Sequence, residues 1–152
     1  NNYRLTDVLA AFGIEQMKRI EWIIKEKNKV ADYYNKAFAE NPLIKSPYIP
    51  PYVGRHSWYM YCLKLNKNVD RNRVVKKMKE ERVDSRLSFP PIHLQPVYRE
   101  KFGYKEKDFP ISEETFNSFI DIPCWVGMKR DIMDRVVEVV TKVVAESKRQ
   151  ET

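Results

Sequence analysis

The apolar residues near the start of the chain return with a helical period. Leu9, Phe12 and Met17, then Ile20, Ile24, Val30, Tyr34 and Phe38, recur at close to 3.6 residues. That spacing predicts helix from about Asp7 to Glu40, longer than the ~20 residues usual for one globular helix. Thr6 or Asp7 suits the N-cap, and Asp7 also suits the positive end of the helix dipole. Gly13 weakens the first segment, which predicts a bend or break near Gln16 to Arg19, and Pro42 stops the helix.

Four prolines and a glycine between Asn41 and Arg55 predict a stiff connecting loop. The run SWYMYCLKL is apolar on both faces and rich in aromatics, the pattern of a buried central strand. Asp70 caps a further helix reaching about Arg82, with Val74, Val75 and Met78 on its inner side. A short strand follows over about Ser85 to Phe89 and ends at Pro90-Pro91. The stretch IHLQPVYREKFGYKEKDFP predicts a structured loop with a short helix near Val97 to Lys101, and Ser112 opens another. FIDIPCW predicts a third strand or an edge segment. Ile132, Val136, Val139, Val140 and Val143 then form one stripe of a last helix. The sum is an α+β fold, a small sheet covered by helices, in one domain over residues 1–152.

Composition narrows the class. The 152 residues are 43% hydrophobic and 32% charged, the balance of a globular chain with a real core. No apolar run approaches membrane-spanning length and no leader pattern is present, so a soluble, cytoplasmic protein is expected. Cys62 and Cys124 lie far apart in apolar stretches, as reduced thiols do. His56 and His93 stand at no ligand spacing from either, which argues against zinc. The net charge of +7 would suit a polyanion, yet the basic residues are interleaved with acids, as in KEKNK and MKEERVD. That mixture reads as a solvated surface.

Glycine-rich phosphate loops, nucleophile elbows, HExxH and CxxC are all absent, and no lysine stands in a covalent-catalyst context. Two clusters carry chemistry. Asn2, Tyr3 and Arg4 precede the first helix; an amide and a guanidinium suit a phosphate or carboxylate, although on chemistry alone the trio reads as a solvated terminus. The second is RLSFPPIHLQPVYRE. There Arg86, Phe89 and Tyr98 flank a rigid proline turn carrying His93, a suitable grip for an anionic, hydroxyl-rich ligand. The competing reading is a hydrophobic loop whose His93 satisfies a backbone carbonyl, and pattern alone does not separate the two. His56 reads as structural.

The residues also resemble a family. Asn2-Tyr3-Arg4, Leu5, Thr6-Asp7, Ala10-Ala11, Gly13, Gln16 and Tyr34-Asn35 are similar to the segment opening the C-terminal domain of DegT-type (DegT/DnrJ/StrS) sugar aminotransferases. SWYMYCLKL resembles that domain's aromatic strand, VDSRLSFPPIHLQPVYRE its substrate loop, and IDIPCWVGM the stretch before its last helix. The resemblance implies the small domain of a fold-type I pyridoxal-phosphate enzyme, with the large domain and its cofactor-bearing lysine outside this chain. It implies transfer of an amino group from glutamate to a keto sugar linked to a nucleoside diphosphate, in surface-polysaccharide biosynthesis. It implies a homodimer with shared sites, in which Asn2 and Arg4 meet the neighbouring subunit's cofactor phosphate. By the same resemblance Arg86, Phe89, His93 and Tyr98 serve substrate, and no residue here is the covalent catalyst. Many members carry His-Tyr where this chain has Ser88-Phe89, and the Arg86–Phe89 arrangement is closer to members that aminate C4 of GDP-sugars to make perosamine.

A regulatory or nucleic-acid-binding module, or a dimerisation domain without catalysis, are the readings of other classes. Nucleic acid is disfavoured, because no helix pairs a basic stripe with base-reading side chains. Any binding to nucleic acid is expected to be weak and to collapse between low and physiological salt, measured by fluorescence anisotropy. Nanomolar, sequence-dependent binding at physiological salt would favour the regulatory module.

Overall fold

The computed structural model describes residues 4–87 and 89–149. The long helical pattern is two helices, α1 (Asp7–Lys18) and α2 (Ile20–Phe38), broken at Arg19. Thr6 caps α1 by accepting from the Leu9 N–H, and Arg19 ends it by donating its own N–H to the Gln16 and Met17 carbonyls. Gly13 lies inside α1, so the break falls at the far end of the window the sequence indicates.

The helix α3 (Arg71–Glu80) starts at Asp70, whose Oδ1 accepts from the Arg73 N–H at 3.0 Å. It stops two residues earlier than the apolar pattern indicates, because the chain closes a Schellman motif there. Arg82 takes a left-handed conformation, its N–H reaching the Lys79 carbonyl and the Val83 N–H that of Met78. Val83 and Met78 are both buried, the apolar contact that accompanies this cap. Beyond Pro90-Pro91, a 3-10 turn (Ile92–Leu94) leads to α4 (Pro96–Phe102) and α5 (Pro110–Ser118), each with proline in its first turn. Pro110 starts α5 two residues before the Ser112 that the sequence suggests.

Among the described residues the sheet has four strands rather than three. β1 (Ile44–Lys45), inside the expected proline loop, joins β2 (Tyr61–Leu65), β3 (Arg86–Leu87) and β4 (Phe119–Ile122). Their order is β1-β2-β4-β3 and every pairing is antiparallel. β4 is therefore an inner strand, not an edge.

Alternation along the two inner strands sorts the side chains. Tyr61 faces Ile122 and Leu63 faces Ile120, all buried, while Cys62 faces Asp121 and Lys64 faces Phe119 on the opposite side. The first side is covered by Val30, Ala31, Tyr34 and Phe38 of α2, Val74 and Met78 of α3, and α6 (Arg130–Glu146). From α6 come Val136, Val139, Val140, Val143 and Val144; Ile132, expected on that stripe, is exposed at its end. α1 departs from the expectation more sharply. It buries nothing, and Leu5, Val8, Leu9, Phe12, Ile14 and Met17 are each more than half exposed.

Met78 is completely enclosed. Met78→Ala is therefore expected to lower unfolding free energy by about 2–5 kcal/mol. Ile111→Ala, on an exposed side chain, should change it by no more than about 0.5 kcal/mol. Urea unfolding of the two variants checks this, and equal shifts would contradict the assignment of the core.

Candidate functional site

On the sheet side turned away from α2, α3 and α6 there is an open cleft of about 620 Å³. Its floor is Arg86 with its register partner Asp121 across β3 and β4; Cys62 of β2 is the next residue in that row. Tyr59 and Met60 form one wall, Asp84 to Leu87 with Phe89 another, and Pro123, Cys124 and Trp125 close the end.

The Tyr59 wall is set by a strained turn. Trp58 has φ of 50°, a left-handed conformation unusual for a bulky residue. Its neighbours hold it there. The indole N–H donates to Asn28 Oδ1 at 3.0 Å, the backbone N–H to His56 Nδ1 at 3.1 Å, and the carbonyl accepts from Lys27 Nζ at 2.7 Å. Trp58 is buried, and the turn leaves Tyr59 facing solvent at the cleft rim. His56 thus has the structural task its position in the sequence suggests.

Polar groups in the cleft are few and contrasting. Arg86 has a side chain 83% exposed and lies 3.9 Å from Asp84, a distant and solvated ion pair worth little. Asp121 is only 9% exposed, and its Oδ1 has no hydrogen-bond partner among the described residues. Burial first, then a side-chain hydrogen bond with Asp121 and the charge of that carboxylate, pushes the Cys62 thiol up to about 12. Burial also raises the Cys124 thiol, with Lys27 opposing it. Both cysteines are free and half-buried.

The expected site residues divide. Arg86 and Phe89 line the cleft; His93 and Tyr98 do not. The proline turn does not present His93 to a ligand but carries it inward, to 7% exposure, where its Nε2 lies 3.0 Å from Glu113 Oε1. Burial alone would raise the Glu113 carboxyl, but contacts from His93 and the backbone N–H groups of Lys107 and Phe109 outweigh it and hold it below the usual range. The His93 ring also packs on Phe109, which begins a chain of ring contacts through Tyr104 and Phe102 to Tyr98. Two of the expected residues thus anchor a lobe beside the cleft. Arg4 is exposed just ahead of α1, while Asn2 lies outside the described residues. Tyr59, Asp121 and Trp125 are the cleft residues that sequence reasoning missed. The available signal was Asp121, the one acid within the apolar FIDIPCW run.

Helices over one side of an antiparallel sheet, with a cleft on the other, match a known class. The chain belongs to the DegT/DnrJ/EryC1/StrS aminotransferase family, whose model matches residues 1–141. It is 32% identical over 142 residues to the spore coat polysaccharide biosynthesis protein SpsC of Bacillus subtilis, covering 91% of this chain and 36% of that protein. It is 26% identical to the GDP-perosamine synthase of Caulobacter vibrioides, covering 94% of this chain and 38% of that one. Among solved structures, PseC of Helicobacter pylori, an aminotransferase involved in the biosynthesis of pseudoaminic acid, superposes with a TM-score of 0.86. The identity there is 17%, over 96% of this chain and 39% of that one. The chain thus spans little more than a third of the length of these relatives.

Enzymes of this family depend on pyridoxal phosphate. Such a cofactor needs an amine to carry it and donors for its phosphate. Among the described residues the cleft lining contains no lysine and one guanidinium, Arg86, so these residues do not by themselves build a cofactor site.

The elevated Cys62 thiol gives a direct check. Thiolate content falls tenfold per unit of pKa, so alkylation of Cys62 at pH 8 should be at least about a hundredfold slower in the native protein than in denaturant. In Asp121→Asn it should speed up yet stay well below the denatured rate, since burial is the larger cause. Timed iodoacetamide labelling read by peptide mass spectrometry measures both, and native labelling at the denatured rate would contradict the burial.

Proposed function

We propose that this chain is the C-terminal part of a pyridoxal-phosphate-dependent aminotransferase that moves an amino group from glutamate to a keto sugar linked to a nucleoside diphosphate. The observation carrying this reading is the cleft itself, in a chain of this family. It sets an exposed guanidinium suited to a diphosphate beside aromatic faces suited to a sugar ring. Arg86 and Phe89 contribute to substrate directly. His93 and Tyr98 contribute through the lobe they hold together.

The relatives named above support amino-sugar chemistry of surface polysaccharides, a cytoplasmic activity; no helix among the described residues is long and apolar enough to cross a membrane. The active form is a homodimer in which Asn2 and Arg4 reach the phosphate of the neighbouring subunit's cofactor. The uncovered apolar surface of α1 supports a larger assembly, because a helix with no buried residue gains little by packing on this domain alone.

Two inactive forms of the full-length enzyme test the shared site, Arg4→Ala and a substitution of the cofactor-bearing lysine. In a mixed dimer one site combines both defects and the other is intact. Random mixing gives about half mixed dimers, so roughly a quarter of all sites recover. Loss of a charge-assisted contact costs on the order of 1.5–3 kcal/mol, enough for recovery to stand above background. Turnover of a co-refolded mixture is the measurement. Activity that stays at the average of the two parents, despite proven subunit exchange, places the action of Arg4 within its own chain.

A further inference from the structure

Asp121 is an unusual occupant of its position. It sits mid-strand on β4, an inner strand, with Cys62 opposite on one side and Arg86 on the other. Arg86 is the natural partner for it, a basic residue directly across an antiparallel pair. Yet the guanidinium turns to Asp84 and solvent instead. Oδ1 of Asp121 is left buried on the floor of the cleft, without a donor among the described residues. A buried carboxylate oxygen without a hydrogen bond is costly, and most such atoms in native proteins have partners. The oxygen is poised for a donor that arrives with a ligand.

The surroundings define that ligand. Phe89, Tyr59 and Trp125 expose ring faces around the cleft, and such faces attract the weakly positive C–H groups of a pyranose. Arg86 stands at the floor's outer edge, where it suits an anionic substituent. We propose that Asp121 is a specificity residue, accepting a hydrogen bond at Oδ1 from a ring hydroxyl of the substrate's pyranose. Arg86 meets the diphosphate of the same molecule. This rests on the sugar-aminotransferase reading above and adds to it a residue that separates a nucleotide sugar from the bare nucleotide. The family resemblance gives no such role to this position.

The test uses the full-length, cofactor-loaded enzyme and compares wild type with Asp121→Asn, which keeps the shape and removes the charged acceptor. Binding of UDP-glucose and GDP-mannose is measured by calorimetry beside UDP and GDP alone. The wild type is expected to bind at least one nucleotide hexose about tenfold or more tighter than its nucleotide. Asp121→Asn is expected to lose that preference while binding the bare nucleotide unchanged. Three results overturn the proposal: a wild type with no hexose preference, a variant that keeps it, or a variant that weakens hexose and bare nucleotide alike. The last would mean that Asp121 serves the fold or takes its donor from the rest of the enzyme. Glutamate-driven amination of the cofactor, followed by absorbance without any sugar, is recorded on the same samples. Its absence in wild type sinks the aminotransferase reading, whereas its presence with any of those three results sinks only the role of Asp121.

Discussion

The pairing of β2 with β4 is the constraint on which both the core and the cleft depend. Because side chains alternate, opposing Tyr61 to Ile122 and Leu63 to Ile120 puts the apolar set under the helices. The same pairing sends Cys62, Asp121 and Lys64 to the other side. A slip of one residue would turn one of the two strands over, driving Lys64 of β2 or Asp121 of β4 into the core and exposing that strand's apolar set. Burying an unpaired charge costs far more than any single contact in this sheet gains. The register is therefore fixed by the core, and the cleft floor follows from it. β3 then needs only two residues, Arg86 and Leu87, to complete that floor.

The lobe from Ile92 to Ser118 obeys a different logic. It adds none of its side chains to the main buried cluster. Its stability comes instead from His93 with Glu113, the stacked and edge-on ring contacts from Tyr98 to Phe109, and two helices with proline starts. Gly103 makes the sharp exit from α4, at φ of 74°, where a side chain would be strained. The chain enters the lobe just after Phe89 and leaves it straight into β4. One cleft wall and the strand bearing Asp121 are thus tied to the same small unit, so the His93–Glu113 contact bears on the cleft through backbone position rather than contact with it.

Periodicity made the helices legible, since α2, α3 and α6 each bury one stripe against the sheet. It failed for α1, whose Leu9, Phe12 and Met17 have the spacing of a core face yet stay more than half exposed among the described residues. Spacing reports that a face is apolar, not what covers it. β1 was hidden because two residues among prolines carry no period. His93 was misplaced for a related reason: its partner Glu113 lies twenty residues on, and only the folded lobe brings them to 3.0 Å. Arg86 and Phe89 could be found because strand and proline turn adjoin in sequence. Asp121 could not be paired with them until the strand order placed β4 between β2 and β3.

The basic charge of the chain says less about its ligand than two residues in the cleft. Several basic residues are paired at the surface: Arg55 with Glu21, Lys77 with Glu146, Arg130 with Asp134, and Arg135 and Lys142 with Glu81. These pairs hold the Glu81, Asp134 and Glu146 carboxyls below their usual range, largely through hydrogen bonds from their basic or, for Asp134, tyrosine partners. Pairing leaves the net charge of +7 unchanged but interleaves the two signs, so that charge does not by itself mark a polyanion site. The cleft itself opposes one, because Asp84 and Asp121 stand beside the single guanidinium of Arg86. A ligand that satisfies the whole set must be anionic at one end and rich in hydroxyl donors at the other, with an apolar ring face between. Nucleic acid presents repeated phosphates to a cleft that holds two carboxylates beside one guanidinium, whereas a nucleoside diphosphate sugar meets all three demands within one molecule.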